Sequence, residues 1–152
     1  MSYDRADFDY STADQPLPKG HAATHIGMFL AWAILNDLEN DWHRQHSADL
    51  LARLRRREIT GRQFFEAACK EQFAEKDLSV EGNQFAEYYY RDAAGERGPF
   101  FDDYRKTLVT GLPSFWHVVD SWDNYEKLAP VITRRYLDWR NPPKKRWWQF
   151  WK

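Results

Sequence analysis

The sequence predicts an all-α fold, a single compact domain of about five to seven helices around a central buried helix at residues 22–40. The run from Thr24 to Leu35 contains no charged residue, although charged residues make up 30% of the chain. It is apolar on every side of a helix, which is typical of a buried helix. Helical spacing of apolar residues dominates elsewhere, and no Asn-Gly hairpin signal occurs. Residues 115–119 are the one segment with the character of a strand.

The composition is that of one globular domain. The 152 residues suit a single domain, and 43% of them are hydrophobic, which is enough for a core. Aromatic residues make up 17%, so we expect some of the rings to lie on a contact surface. The single cysteine excludes an intramolecular disulfide, and a net charge of −1 argues against a nucleic-acid partner.

The two ends of the chain differ in character from its middle. Residues 1–20 are polar and are interrupted by Pro16 and Pro18, so we expect an extended segment without the apolar stretch of a signal peptide. Residues 21–141 should form the helical domain, and residues 142–152 a basic tail. Because no uncharged run is long enough to span a bilayer, we expect a cytoplasmic protein.

Capping residues mark the helices that follow the central one. Ser47 should cap a second helix. Thr60 and Gln63 form a capping box that begins a third helix, and apolar spacing extends this helix to Phe73. Ser79 begins a fourth helix, after which a glycine-containing loop is expected.

The C-terminal third is predicted to contain three more helices. The first covers residues 100–109 and ends at Gly111, because glycine readily adopts the conformation that stops a helix. Ser121 caps a short helix, and Pro130 begins the last helix at its first turn. That last helix should stop before Pro142, since residues preceding a proline avoid helical angles.

Four sequence blocks resemble one known family. They are the run Thr24–Ile34, the segments Asp77–Phe85 and Gly111–Ser114, and the segment from Trp122 to Pro130. Together they resemble a bacterial domain-of-unknown-function family of small single-domain proteins, and the resemblance extends over residues 22–139. It implies a compact, mainly helical protein of the bacterial cytoplasm. Small proteins of this kind often accompany bacterial toxins as immunity partners, which is an association and not a mechanism.

Three histidines are candidates for chemistry. His25 lies at the start of the central helix, where a catalytic imidazole and a buried, hydrogen-bonded histidine are both reasonable interpretations. His43 and His46 are three residues apart, so on a helix they would share a face and bind a metal with nearby carboxylates. A solvated surface is the other interpretation of this pair, and we expect neither a cofactor nor a resident metal.

Three acidic residues, Asp37, Glu39 and Asp41, lie at the predicted C-terminal end of the central helix. The helix dipole disfavours carboxylates at that end. Their position therefore indicates either a functional role or simply the point at which the chain leaves the core for solvent.

The tail joins a Pro-Pro pair to a cluster of basic and aromatic residues. Indoles and cations favour a membrane interface. Tryptophan and arginine also favour protein interfaces, and a third interpretation is that the tail packs on its own domain. The residues concerned are Lys144, Lys145, Arg146, Trp147, Trp148, Phe150 and Trp151.

The sequence favours a protein that binds another protein and catalyses no reaction. The family association favours an immunity protein that occludes a cognate toxin by burying an aromatic-rich, mildly acidic face. A small enzyme that depends on a metal or on a histidine is one alternative. A membrane adaptor held by its tail, peripheral to the inner membrane, is another.

Overall fold

The computed structural model describes residues 2–6, 21–91 and 96–142. These residues form a mostly helical domain with one small antiparallel sheet, which confirms the predicted fold class. The helices are α1 (Thr24–Leu35), α2 (Asp41–His46), α3 (Ala48–Arg55), α4 (Gly61–Ala68), α5 (Val80–Tyr89), α6 (Pro99–Tyr104) and α7 (Trp122–Arg140). The strands are β1 (Ser2–Arg5) and β2 (Gln72–Ala74).

Helix α1 is the centre of the fold, as predicted. Every residue from Thr24 to Ile34 is buried, and the other described helices leave part of their surface in solvent. The helix is shorter than the predicted 22–40 because Asp37 has a left-handed backbone, with φ of 59°. The Asn36 side chain also donates a hydrogen bond to the Trp32 carbonyl at 2.8 Å, which satisfies an acceptor near the helix end.

Two glycines allow α1 and α4 to pack closely. A Cβ atom added at Gly61 would lie 1.9 Å from the Gly27 carbonyl oxygen, so only hydrogen fits at this crossing. The predicted capping box holds α4 in place. Thr60 Oγ1 accepts from the Gln63 amide at 3.2 Å, and Gln63 Oε1 accepts from the Thr60 amide at 2.9 Å.

The core is built mainly of aromatic rings. Phe29 on α1 contacts six other rings at centroid distances of 5.1–6.2 Å, and all seven residues are buried. The six are Trp32, Phe73, Phe85, Tyr89, Tyr90 and Phe100. Trp32 also donates its indole N–H to Thr133 Oγ1 at 3.0 Å, which links α1 to α7.

Helix α7 is continuous, so the prediction of two helices separated at Pro130 was wrong. Its buried stripe runs without a break through the proline, and Pro130 lies on the exposed side. Pro130 has no N–H to donate to the carbonyl four residues earlier, and water can satisfy that carbonyl on the exposed side of the helix. Ser121 caps the helix, and the helix ends before Pro142, both as predicted.

The strands are not where strand character was expected. Phe73 belongs to β2 and not to α4, because α4 ends at Ala68 and Lys70 and Glu71 both adopt positive φ. Strand β1 pairs antiparallel with β2 and buries Tyr3 in the core. Residues 115–117 form a 3-10 turn, so the prediction of a strand at residues 115–119 was wrong.

Helix α6 leads directly into a π-helical turn at Arg105–Val109. The chain then reverses at Gly111, with φ of 87°, which agrees with the predicted stop. Among the described residues, none of the helices is long and apolar enough to cross a membrane.

Candidate functional site

The three acidic residues predicted near the end of α1 occupy two different environments. Asp37 and Asp41 have side chains that are 79% and 80% exposed, whereas Glu39 is buried. Asp41 is the first residue of α2, where the helix dipole favours a carboxylate. The sequence placed the three carboxylates at the C-terminal end of the central helix, where the dipole would disfavour them. They are not there, because α1 already ends at Leu35.

The buried carboxylate of Glu39 accepts hydrogen bonds from two arginines at the surface. Its Oε1 accepts from Arg55 at 2.6 Å and from Arg44 at 3.2 Å. Its backbone forms an antiparallel bridge with Leu78, which anchors the segment that carries it. A buried carboxylate needs such partners, because an unpaired buried charge is costly. Glu39 thus orders the loop between α1 and α2 and is not itself accessible to a partner.

Trp42 is the large exposed ring of this region. Trp42 belongs to α2 and is 50% exposed. Asn40 caps this helix by accepting from the Trp42 amide at 2.8 Å. The indole lies against the exposed imidazole of His46, with centroids 4.7 Å apart and an interplanar angle of 17°. We call the exposed side chains of Asp37, Asp41, Trp42 and His46 the Trp42 face.

The Trp42 face is mildly acidic. Asp37 and Asp41 are exposed, and each also pairs with one of the arginines that hold Glu39. Arg55 lies 3.3 Å from Asp37 Oδ1, and Arg44 lies 3.1 Å from Asp41 Oδ1. The hydrogen bond from Arg44 to Glu39 raises the pKa of that guanidinium further above its ordinary value. Three carboxylates, counting the buried Glu39 beneath the face, are matched by two arginines, so these five residues together carry one net negative charge.

His25 lies in a separate network that joins the N-terminal strand to α1. Its Nε2 lies 2.9 Å from Asp4 Oδ2, and Tyr90 donates its hydroxyl to the same oxygen at 2.7 Å. The imidazole is buried among four aromatic rings, those of Phe101, Tyr104, Phe115 and Trp116. Nδ1 has no hydrogen-bond partner among the residues that the structure describes.

The charge state of Asp4 follows from these contacts. Burial by itself raises the pKa of Asp4, but the hydrogen bonds from His25 and Tyr90 and the charge on His25 outweigh it, and the pKa is lowered from 3.8. Burial and the neighbouring Asp4 raise the pKa of Tyr90 well above its ordinary value. Asp4 is therefore an ionised acceptor that holds β1 against α1. This contact set favours the interpretation of His25 as a buried, hydrogen-bonded histidine.

His43 and His46 do not share an environment. His43 is buried, with Nδ1 3.1 Å from Ser47 Oγ and Nε2 2.8 Å from Asp77 Oδ1. His46 is exposed, and its Nδ1 lies 3.0 Å from the Trp42 carbonyl oxygen. The structure therefore does not bring the two rings together as a ligand pair. The prediction that Ser47 caps the second helix, α3, was wrong, because its hydroxyl contacts His43 instead of an amide of that helix.

Cys69 lies beside His43 and Asp77 in the core. Its Sγ is 3.9 Å from His43 Nε2. Burial, with the charge and hydrogen bonding of Asp77, raises the pKa of this thiol well above its ordinary value. A Cys–His catalytic pair needs a free imidazole nitrogen beside the thiol, and here the carboxylate occupies that nitrogen. The thiol is not an activated nucleophile.

Lys144, Lys145, Arg146, Trp147, Trp148, Phe150 and Trp151 all lie outside the described residues, as do residues 7–20.

Sequence reasoning missed the residues that organise each cluster. Trp42 sits on a helix of only six residues, which is too short for apolar periodicity to mark one face. Asp4 and Asp77 contact histidines that are 21 and 34 positions away, and no local spacing encodes such contacts.

Comparison with known proteins places most of the chain in one family. The model of a family described as a domain of unknown function (DUF7832) matches residues 2–118. No curated protein and no solved structure matches the chain.

Proposed function

We propose that this chain, which belongs to the DUF7832 family, is a non-enzymatic binding protein whose Trp42 face docks on the basic surface of a protein partner. The observation that carries the proposal is that a tryptophan is half exposed on a capped helix and held there by a parallel contact with His46.

An exposed but ordered tryptophan is suited to binding. Binding would remove the exposed half of the indole from water, which favours association. It would cost little side-chain entropy, because the ring is already ordered. Tryptophan is among the residues enriched at the energetic centres of protein interfaces. The Trp42 indole also contacts the His43 ring edge-on, at 5.2 Å, which restricts it further.

The segment that precedes Trp42 is also ordered in the free chain. Glu39 accepts hydrogen bonds from Arg44 and Arg55, and the side-chain amide of Asn40 donates to the Leu78 carbonyl at 3.1 Å. Asp37 and Asp41 consequently project from a fixed backbone. A pre-organised surface loses less entropy on association than a mobile one.

The charge of the Trp42 face selects the partner's chemistry. Solvent-exposed carboxylates accelerate encounter with a positively charged surface and repel a negative one. A basic surface, such as the nucleic-acid-binding or phosphate-binding site of an enzyme, fits this face. The immunity role follows as the specific proposal. In a bacterial host the chain would cover such a site on a toxin and so block its substrate.

The experiment begins with an affinity-tagged chain purified from its native host, with mass spectrometry to identify co-purifying proteins. A candidate partner is then expressed alone and together with the chain. The immunity role predicts growth arrest in the first case and rescue in the second. A partner that is harmless when expressed alone would contradict the immunity role but not the binding role.

Matched variants then test the surface by calorimetry with the purified partner. Trp42→Ala should weaken binding by about 30-fold or more, which corresponds to a loss of about 2 kcal/mol at an interface hot spot. Leu137→Ala is the control, because Leu137 is 51% exposed, on α7. Unchanged affinity in Trp42→Ala together with a loss in Leu137→Ala would contradict the proposal and place the interface on α7.

A further inference from the structure

Three side chains with metal-binding atoms converge in the core beneath α2. They are His43 from α2, Cys69 immediately after α4, and Asp77 from the turn after β2. One ligand atom from each lies within 4.8 Å of the other two. All three residues are buried, with at most 1% of each exposed.

We propose that His43, Cys69 and Asp77 form a buried binding site for a divalent transition-metal ion, and that Zn²⁺ is its natural occupant. This proposal is independent of the Trp42 face. It reverses the expectation from the sequence that the chain holds no metal, and it replaces the pair His43 and His46 with a different ligand set.

The donor set matches zinc chemistry. Zinc binds imidazole nitrogen, thiolate sulfur and carboxylate oxygen, with bonds of about 2.0–2.1 Å to nitrogen and about 2.3 Å to sulfur. Tetrahedral bonds of those lengths separate nitrogen from sulfur by about 3.6 Å. In the structure His43 Nε2 lies 3.9 Å from Cys69 Sγ and 2.8 Å from Asp77 Oδ1. Metal binding would shorten the first distance by a few tenths of an ångström and lengthen the second by about 0.5 Å, which small side-chain rotations can supply. A water molecule takes the fourth position in sites with three protein ligands.

Both the histidine and the carboxylate have the supporting contacts that metal ligands require. The nitrogen of His43 that faces away from the cluster lies 3.1 Å from Ser47 Oγ, which orients the ring. Asp77 Oδ2 accepts from the Ala74 amide at 2.9 Å, which leaves Oδ1 directed at His43. Such outer contacts set the tautomer and direction of the ligands before the metal binds.

The charges of the cluster also balance around a divalent ion. One thiolate and one carboxylate cancel the two positive charges of the ion, while the imidazole is neutral. Binding displaces the proton of the Cys69 thiol, because the thiolate and not the thiol is the metal ligand.

The test uses the full chain, purified without a polyhistidine tag and stripped by dialysis against a chelator. Addition of Co²⁺ should produce a thiolate-to-cobalt absorption band that saturates at one ion per chain. Cys69 is the only cysteine, so this band reports on that residue alone. Addition of Zn²⁺ should abolish the band by competition and raise the melting temperature.

Two variants complete the test. His46→Ala removes the exposed neighbouring histidine and should bind cobalt as the unmodified chain does. Cys69→Ala should lose the band and the rise in melting temperature. If Cys69→Ala does not fold, the unmodified chain and His46→Ala still decide the matter. No thiolate band and no change in melting temperature in the unmodified chain would overturn the proposal. So would loss of binding in His46→Ala, because the site would then lie at the surface.

Discussion

The indole of Trp42 lies nearly parallel to the imidazole of His46, with ring centroids 4.7 Å apart. This contact keeps a large ring ordered at the surface, whereas Trp32 is packed in the core against Phe29, Phe85 and Tyr136. The two tryptophans thus have opposite roles: one supports the fold and the other is available to a partner.

Replacing each tryptophan by alanine should separate these roles. Trp32→Ala should lower the free energy of unfolding by about 3–5 kcal/mol, because it empties a large aromatic site and leaves Thr133 without its hydrogen bond. Trp42→Ala should change it by less than about 0.5 kcal/mol, as is usual at exposed positions. Urea denaturation of both variants measures the difference, and equal losses would contradict the assignment.

The buried helix could be predicted from the sequence because its signal is local. A long uncharged run is visible without any knowledge of the fold, and the capping residues Thr60, Ser79 and Ser121 act on amides three residues away. The strands could not be predicted in this way. Strand β1 is stabilised by pairing with β2 across some 70 residues of sequence, and neither strand has a long alternating pattern.

For the site residues too, the sequence shows local features but not contacts between distant parts of the chain. The sequence marks Asp37, Glu39 and Asp41 as carboxylates near the end of the central helix, but only the fold shows that Glu39 is buried and paired with Arg55. Pro130 illustrates the opposite error. Its local preference for a helix start was overridden by a buried stripe on α7 that continues past it to Tyr136.

The crossing of α1 and α4 predicts a severe effect for a small change. Gly61→Ala should lower the free energy of unfolding by about 1–3 kcal/mol, the usual cost of overpacking, because the added methyl group would overlap the Gly27 carbonyl. Gln45→Ala, at an exposed position on α2, is the control and should be close to neutral. A stable Gly61→Ala protein would show that the two helices can separate freely.

The ionised Asp4 predicts a stability difference that depends on pH. Because the pKa of Asp4 is lower in the folded chain than its ordinary value of 3.8, Asp4 stabilises the fold above pH 3.8 and loses this effect as the pH falls through the folded pKa. Asp4→Asn should therefore be less stable than the unmodified chain at neutral pH, and the gap should narrow below pH 3.8. A gap that is the same at every pH would contradict this account.

Of the three interpretations of the tail, the membrane anchor predicts weak binding to anionic membranes. Basic residues each contribute roughly 1 kcal/mol near an anionic surface, and indoles favour the interface. The full chain should sediment with anionic vesicles at low salt and less at high salt, whereas a chain ending at Asn141 should not sediment. Circular dichroism is the control for the fold. Equal sedimentation would contradict the prediction, and lost helicity on truncation would indicate that the tail supports the domain.

The most direct test of the binding proposal is amide hydrogen exchange with and without the purified partner. Helix α2 is short and lies at the surface, so its amides should exchange faster than those of the buried α1 in the free chain, which leaves room for a partner to slow them. We expect the partner to slow exchange across residues 36–46 while residues 122–140 of α7 change little. Slowed exchange in α7, with residues 36–46 unaffected, would contradict the assignment of the Trp42 face as the interface.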